Sequence, residues 1–209
     1  MAGDDEPRWL DWARRLQALA QSGLAFTQDD YDAERYREVR AIAAEMIAAG
    51  AGAEPTPLLA RLERELGYAT PKVDVRAFVP RGGAVLMVRE RVEQRWTLPG
   101  GWVDVGETPS EAARRETLEE AGWHVRPTRL LALWDRRRHP HPPMFHHVYK
   151  LFVGCEAESY EGRIGGETDD AGFFPLAALP PLSTSRVTAA QITRLAELHA
   201  HPDRPAAFD

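Results

Sequence analysis

The run Gly101-Trp102-Val103-Asp104-Val105-Gly106-Glu107, followed after seven residues by Arg115-Glu116-Thr117-Leu118-Glu119-Glu120-Ala121-Gly122-Trp123, constrains this chain more than any other segment. Its second half carries every signal of a capped helix. Thr108 is placed to be the N-cap, and Pro109 fits the first helical position, where a missing N–H costs nothing. Glu111, three residues after Thr108, completes a capping box, and Gly122 suits the left-handed residue that closes a helix. The spacing therefore predicts a helix over 109–121. On it, Glu116, Glu119 and Glu120 stand at i, i+3 and i+4 and share one face. No core requires three crowded anions. A hard divalent cation with oxygen ligands removes their repulsion, which makes them candidate metal ligands. Arg115 lies four residues before Glu119 and can pair with it. Gly100, Gly101 and Gly106 let the preceding loop bend so that Glu107 reaches the helix end. The competing reading of the trio alone is a solvated, salt-bridged surface helix; the glycines, Glu107 and Arg115 at fixed spacing weigh against it.

Chemistry suited to these residues is attack of water on a diphosphate linkage. A divalent ion neutralises the phosphate oxygens, orients the leaving group and lowers the pKa of a bound water. Mg²⁺ is the natural choice, with Mn²⁺ able to substitute, because it keeps its waters while bridging carboxylates to phosphates.

Residues 101–123 match the Nudix box: glycine, five residues, glutamate, seven residues, then Arg-Glu-U-x-Glu-Glu-x-Gly-U, with U bulky and apolar. All its Gly, Glu and Arg positions are present, and Thr117 departs from the usual aliphatic residue. The resemblance implies an α/β fold, a Nudix α/β/α sandwich with a mixed sheet, and Mg²⁺- or Mn²⁺-dependent hydrolysis of a nucleoside diphosphate linked to another moiety. It also implies Glu116, Glu119 and Glu120 as metal ligands, Glu107 as an accessory ligand and Arg115 as the group that orients the trio. Further stretches (67–76, 96–101, 172–175 and 179–183) resemble the Nudix subgroup with a helical N-terminal extension. Its members are labelled ADP-ribose pyrophosphatases and include a CDP-choline pyrophosphatase, and its N-terminal helices help to build a homodimer. ADP-ribose and CDP-choline are accordingly the leading substrates, ahead of other nucleotide sugars and of RNA or nucleotide 5′ ends. A non-catalytic nucleotide-binding regulator is the alternative from another class, but such proteins typically lose box carboxylates that are all kept here.

The chain divides by pattern near residue 68, giving a helical segment over 1–68 and a hydrolase domain over 69–209. Trp9, Trp12/Ala13, Leu16 and Leu19/Ala20 make one helical stripe that Gly23 can end; Tyr36, Val39, Ile42/Ala43 and Met46/Ile47 make a second that stops at Gly50. A third helix opens with Thr56 as N-cap and Pro57, carries Leu59, Leu62 and Leu66, and stops at Gly67. Three such helices bury little alone, so their apolar stripes need the rest of the chain or a second copy. After Tyr68, residues 73–79 alternate, Arg81-Gly82-Gly83 turns, and 84–88 is apolar: a strand pair. Residues 130–134, 148–153 and 173–174 read as further strands. Val187, Ile192, Leu195 and Leu198 mark a closing helix.

Beyond the box, Glu167 in Gly165-Gly166-Glu167-Thr168-Asp169-Asp170 is a candidate general base or extra metal ligand, with an ordinary acidic turn as the equal alternative. Arg136 and His139 could hold substrate phosphate or ribose, although a solvated loop explains Arg136-Arg137-Arg138 at least as well. Arg76 and Trp96 complete the candidate substrate contacts; for Trp96, packing competes with stacking on a base. The histidines of 139–147 lack an acidic or cysteine partner spaced to complete a zinc tetrahedron. The formal net charge of −6 disfavours nucleic acid or an anionic membrane as partner. The single cysteine, Cys155, reads as a half-buried strand residue and fits a reducing compartment. With no run of 18 apolar residues, a cytoplasmic protein is expected.

Overall fold

The computed structural model describes residues 6–209. They fall into two compact units: one holds the residues up to Pro71 together with Pro143–His147, and the other holds Lys72–Pro142 and Val148–Asp209.

The first unit contains helices α1 (Arg8–Phe26), α2 (Asp30–Ala51) and α3 (Pro55–Leu62). Helix α1 buries Leu10, Ala13, Arg14, Gln17 and Ala20, whereas Trp12 and Leu19 of the expected stripe are exposed. Gly23 does not end α1. The helix runs on to Phe26, and a Cβ at Gly23 would stand 2.5 Å from the Tyr36 ring, so this glycine serves the close approach of α1 to α2. Helix α2 likewise passes Gly50 and is closed by Gly52 in the left-handed region. Helix α3 starts before Thr56, with Glu54 at the N-cap, and ends at Leu62, leaving Leu66 exposed beyond it. Phe145 packs against Leu10, Ala13 and Ile47, and Arg14 ties the same segment down by donating to the Met144 and Phe145 carbonyls.

The second unit holds strands β1 (Lys72–Phe78), β2 (Pro80–Arg81), β3 (Ala84–Glu90), β4 (Trp96–Thr97), β5 (Trp123–Asp135), β6 (Val148–Tyr160), β7 (Thr168–Pro175) and β8 (Ala207–Phe208), with helices α4 (Pro109–Ala121) and α5 (Ala189–Ala200). One sheet has the order β1-β6-β5-β8 and is mixed, since β1 runs parallel to β6, β5 antiparallel to β6 and β8 parallel to β5. In the other sheet β3 is flanked antiparallel by β2, β4 and β7. Both faces are covered. Val85 and Met87 of β3 point into a core with Ile192, Leu195 and Leu198 of α5, while Leu86 and Val88 point into a second core with Ala112, Ala113 and Ala121 of α4. This two-sided burial is why β3 reads as a continuous apolar run and not as an alternation.

Residues 73–79 and 84–88 do not form the expected pair. They meet only at their near ends, where Pro80↔Val85 and Arg81↔Ala84 pair and Leu86 N–H donates to the Val79 carbonyl at 3.0 Å. Strand β1 pairs along one edge with β6, and residues of the glycine loop bond to it as well: Val75 N–H donates to the Gly101 carbonyl and Ala77 N–H to that of Pro99, both at 2.8 Å. Strand β5 begins directly after Gly122, well before residue 130. Cys155 is fully buried in the α4-side core, and burial pushes its thiol up to about 12. No helix among the described residues is long and apolar enough to cross a membrane.

Candidate active site

Helix α4 forms as its local sequence dictates. Thr108 Oγ1 accepts from Glu111 N–H at 3.2 Å, Glu111 Oε2 accepts from Thr108 N–H at 2.8 Å, and Gly122 closes the helix in the left-handed region. Thr117, the one softer box position, is fully buried and satisfies its hydroxyl on the Ala113 carbonyl at 2.6 Å, so the departure is absorbed within the helix.

Helix and glycine loop meet through two carboxylates. Gly100 N–H donates to Glu120 Oε2 at 2.8 Å. Gly100 has a φ of 144°, and a Cβ there would lie 2.0 Å from the Val75 carbonyl oxygen. A Cβ on Gly101 would stand 2.6 Å from Glu116 Oε1. Neither position tolerates a side chain without something moving.

Arg115 holds the rest of the face. Its Nε and Nη2 grip Glu107 bidentately at 2.7 and 2.9 Å, and its Nη1 reaches Glu116 at 2.9 Å and Glu119 at 3.3 Å. The expected partnership with Glu119 is therefore the weakest of three. Hydrogen bonding from Arg115 holds the Glu107 carboxyl below its usual range.

Glu120 is only 8 % exposed, and burial pushes it up to about 7 against the opposing pull of the Arg76 charge and the Gly100 N–H. Burial raises Glu116 too, with Arg115 opposing. Among the described residues, no three acidic, histidine or cysteine side chains are drawn together closely enough to hold an ion, and Arg115 Nη1 lies within reach of both Glu116 and Glu119. The donor chemistry nevertheless fits a hard divalent cation. The donors are carboxylate oxygens throughout, and the raised proton affinity of Glu116 and Glu120 is the mark of desolvated anions that a cation would relieve.

A buried charge network behind the loop was not anticipated. Asp74, 4 % exposed, accepts from Arg76 Nη2 at 2.8 Å and from the Lys150 ammonium, which is itself 2 % exposed. Arg76 Nη1 also donates to the Leu98 carbonyl at 3.2 Å, two residues before Gly100. Arg76, expected at the substrate, is thus spent on Asp74 and on fixing the glycine loop. The signal for this network was present as charged residues inside strand patterns that otherwise read as core. Glu90, also buried, binds Arg186 at 2.6 Å and is acted on by the charges of Arg76 and Glu167.

The remaining candidates lie as follows. Glu167 is exposed on a loop pinned to the end of α4, where Gly165 N–H donates to the Glu119 carbonyl and Thr168 Oγ1 to that of Glu120. Trp96 packs edge-on against Phe174 at 4.4 Å, a core contact and not a free stacking surface. Arg136 is buried on a short 3₁₀ turn and donates to the Pro142 carbonyl at 2.7 Å. His139 packs on Trp134 and lies 3.4 Å from Asp209.

A layered α/β unit that presents an acidic helix face to a glycine loop defines a hydrolase of the diphosphate-cleaving kind. The chain belongs to the Nudix family: residues 70–196 match the NUDIX domain, and residues 7–60 match the domain described as UDP-X-like, N-terminal oligomerisation domain. It is a pyrophosphohydrolase by class. Bacillus subtilis (strain 168) YjhB, provisionally named an ADP-ribose pyrophosphatase, is 42 % identical over 204 residues, 98 % of each chain. A crystal structure titled UDP-X diphosphatase is 31 % identical, covers 100 % of both chains and superposes with a TM-score of 0.64. That of an ADP-ribose pyrophosphatase from Streptococcus suis 89-1591 is 35 % identical, with a TM-score of 0.61, and covers 67 % of this chain and 100 % of its own.

Proposed function

We propose that the chain hydrolyses the diphosphate of a nucleoside diphosphate derivative in a Mg²⁺-dependent reaction, releasing a nucleoside monophosphate and a phosphorylated second moiety. ADP-ribose and CDP-choline lead the substrate list, and the full-length likeness to a protein titled UDP-X diphosphatase adds UDP-linked compounds. The observation that carries this reading is the seating of Glu120 on the Gly100 N–H with Glu116 against Gly101, which fixes two carboxylates where loop and helix meet. Glu116, Glu119 and Glu120 would hold the ion, with Glu107 reaching them through Arg115. When bound, the ion supplies charge neutralisation at the diphosphate and a more acidic water. Glu107 keeps Arg115 oriented, and Arg115 keeps Glu116 and Glu119 on one side of the helix. Glu167 is the candidate base, supported by the pinning of its loop to the Glu119 and Glu120 carbonyls.

The helical unit is proposed to form a homodimer. Support comes from the exposure of Trp12, Leu19, Phe26, Tyr31 and Ile42 and from the oligomerisation domain matched there. The decisive experiment is incubation with ADP-ribose, CDP-choline and UDP-sugars in Mg²⁺, with both products of each identified. Turnover that survives exhaustive EDTA treatment would overturn the mechanism; a monomer at micromolar concentration by light scattering would overturn the dimer.

A further inference from the structure

Strand β7 changes register as it reaches the end of β3. Pairing is regular from Ala84↔Pro175 to Arg89↔Asp170 and then shifts, so that Glu90 stands opposite Thr168 and Asp169 is left as the extra residue of a β-bulge. Side chains of a strand alternate between faces, and Ala171 and Phe173 of β7 pack into the core on the α4 side. An unbroken alternation would aim Asp169 at α4. The bulge aims Thr168 there instead, fully buried, while the exposed Asp169 carboxylate accepts from Arg89 Nε and Gln94 Nε2, both at 2.8 Å.

The exchange matters because the last carbonyls of a helix lack intrahelical partners. A carboxylate cannot donate to one, whereas a hydroxyl can. Thr168 Oγ1 donates to the Glu120 carbonyl at 2.8 Å and lies 3.2 Å from that of Gly165. Two amides of the same loop take neighbouring carbonyls: Gly165 N–H donates to that of Glu119 at 3.1 Å and Glu161 N–H to that of Gly122 at 2.8 Å. On the β3 side, Arg91 N–H donates to the Glu167 carbonyl at 2.9 Å. The Glu167 backbone is thus held from both sides, by its own carbonyl and by the side chain of the next residue. Its carboxylate is exposed and makes no hydrogen bond or ion pair among the described residues.

We propose that Thr168 is a positioning residue for the hydrolysis: its bond to the Glu120 carbonyl sets where the Glu167 carboxylate stands relative to the acidic face of α4. Glu120 is the common point. Its carbonyl accepts from Thr168 while its carboxylate accepts from the Gly100 N–H, so one residue references the late loop to the glycine loop. Loss of the hydroxyl frees the loop at the residue next to Glu167 and leaves the bonds to the Glu119 and Gly122 carbonyls in place. The assignment rests on the reading of Glu167 as general base, and Thr168 acts only through it.

The test is a double-mutant cycle of Thr168→Val and Glu167→Gln, assayed with the best-cleaved compound among ADP-ribose, CDP-choline and UDP-sugars. Valine has the shape of threonine without its hydroxyl. Thr168→Val is expected to lower kcat about 10–100-fold, the scale of a displacement of about 1 Å at a reacting group, with KM and the Mg²⁺ midpoint nearly unchanged. In the Glu167→Gln background the same change should cost under about threefold more, because residues that act as a unit are not additive. Thr168→Ser keeps the hydroxyl and should recover most of the rate. If the valine variant does not fold, Thr168→Ala leaves room for a water at the Glu120 carbonyl and runs the same cycle. Additive losses, a raised Mg²⁺ midpoint, or no recovery by serine overturns the role of Thr168 alone. A Glu167→Gln loss under about threefold overturns the base reading, and the assignment with it.

Discussion

Gly100 donates its backbone N–H to Glu120 Oε2 at 2.8 Å, and this bond joins the glycine loop to the acidic helix. The two adjacent glycines should fail differently. At Gly100 an added Cβ meets backbone, the Val75 carbonyl at 2.0 Å, in a conformation that L residues rarely adopt. Gly100→Ala should cost about 2–4 kcal/mol of stability, combining strain with displacement of the loop. At Gly101 the obstacle is the far end of the Glu116 side chain. Gly101→Ala should melt within a few degrees of wild type while losing most of its turnover. Thermal melts beside initial rates check the contrast, and equal melting losses at both positions would sink it.

Arg115→Lys keeps the charge but not the fork. A lysine cannot grip both Glu107 oxygens while reaching Glu116 and Glu119, as the guanidinium does. The variant should fold normally and lose about 10–100-fold in kcat, the usual scale for groups that orient metal ligands. A raised metal requirement in the same assay would locate the loss at the acidic face. Full activity would mean that Arg115 only decorates the helix.

If Glu167 is the general base, Glu167→Gln at saturating Mg²⁺ should lower kcat by about 10²–10⁴-fold with little change in stability. A loss under about threefold would return the loop 163–168 to an ordinary acidic turn.

What the sequence revealed and hid follows from how local each feature is. Helix α4 was legible to its caps because Thr108, Pro109, Glu111 and Gly122 act within one turn of the ends they mark. Helix α3 was misplaced because Glu54-Pro55 and Thr56-Pro57 offer the same kind of start, and the chain used the earlier one. The 73–79 hairpin failed for a non-local reason: the β1 backbone bonds to residues 99–101 and to β6. The Asp74–Lys150 pair was invisible for the same reason. Its partners are 76 positions apart and meet only through the parallel register of β1 on β6, in which they stand opposite each other.

That pair carries an ordered prediction. Asp74 faces two buried cations, and burial pushes Lys150 down to about 8 despite the carboxylate. Asp74→Asn leaves Arg76 and Lys150 uncompensated and should cost about 3–5 kcal/mol. Lys150→Met leaves Asp74 with Arg76 and replaces an ammonium with an apolar side chain of similar length, so it should cost clearly less. Denaturant midpoints for the two variants test the order. A Lys150→Met loss as large as that of Asp74→Asn would mean that Arg76 does not satisfy Asp74 alone.

His141 should give the fold a measurable sensitivity to acid. Its Nδ1 lies 2.7 Å from the Thr184 carbonyl, which makes that nitrogen the N–H donor and leaves the lone pair on the buried, unpartnered Nε2. Protonation would create a buried N–H with no acceptor, next to the charges of Lys150 and Arg136. Burial, with those cations adding to it and the Thr184 carbonyl opposing, pushes the imidazole down to about 4 from an ordinary value of 6.5. The folded state therefore binds fewer protons than the unfolded state between those values, so stability falls as pH drops from about 6.5 to 4 and is fully present above. Because the ring is only half-buried, the contribution should be about 1–2 kcal/mol and not the full shift. His141→Asn keeps a donor for Thr184 and does not titrate, so its melting temperature should fall less steeply than that of wild type across this window. His139 and His199 are also held below their usual range and titrate in both proteins, so the difference between the two curves reports His141 together with its charge coupling to His139. Parallel curves from pH 6.5 to 4 would show that the ring already protonates freely in the folded protein.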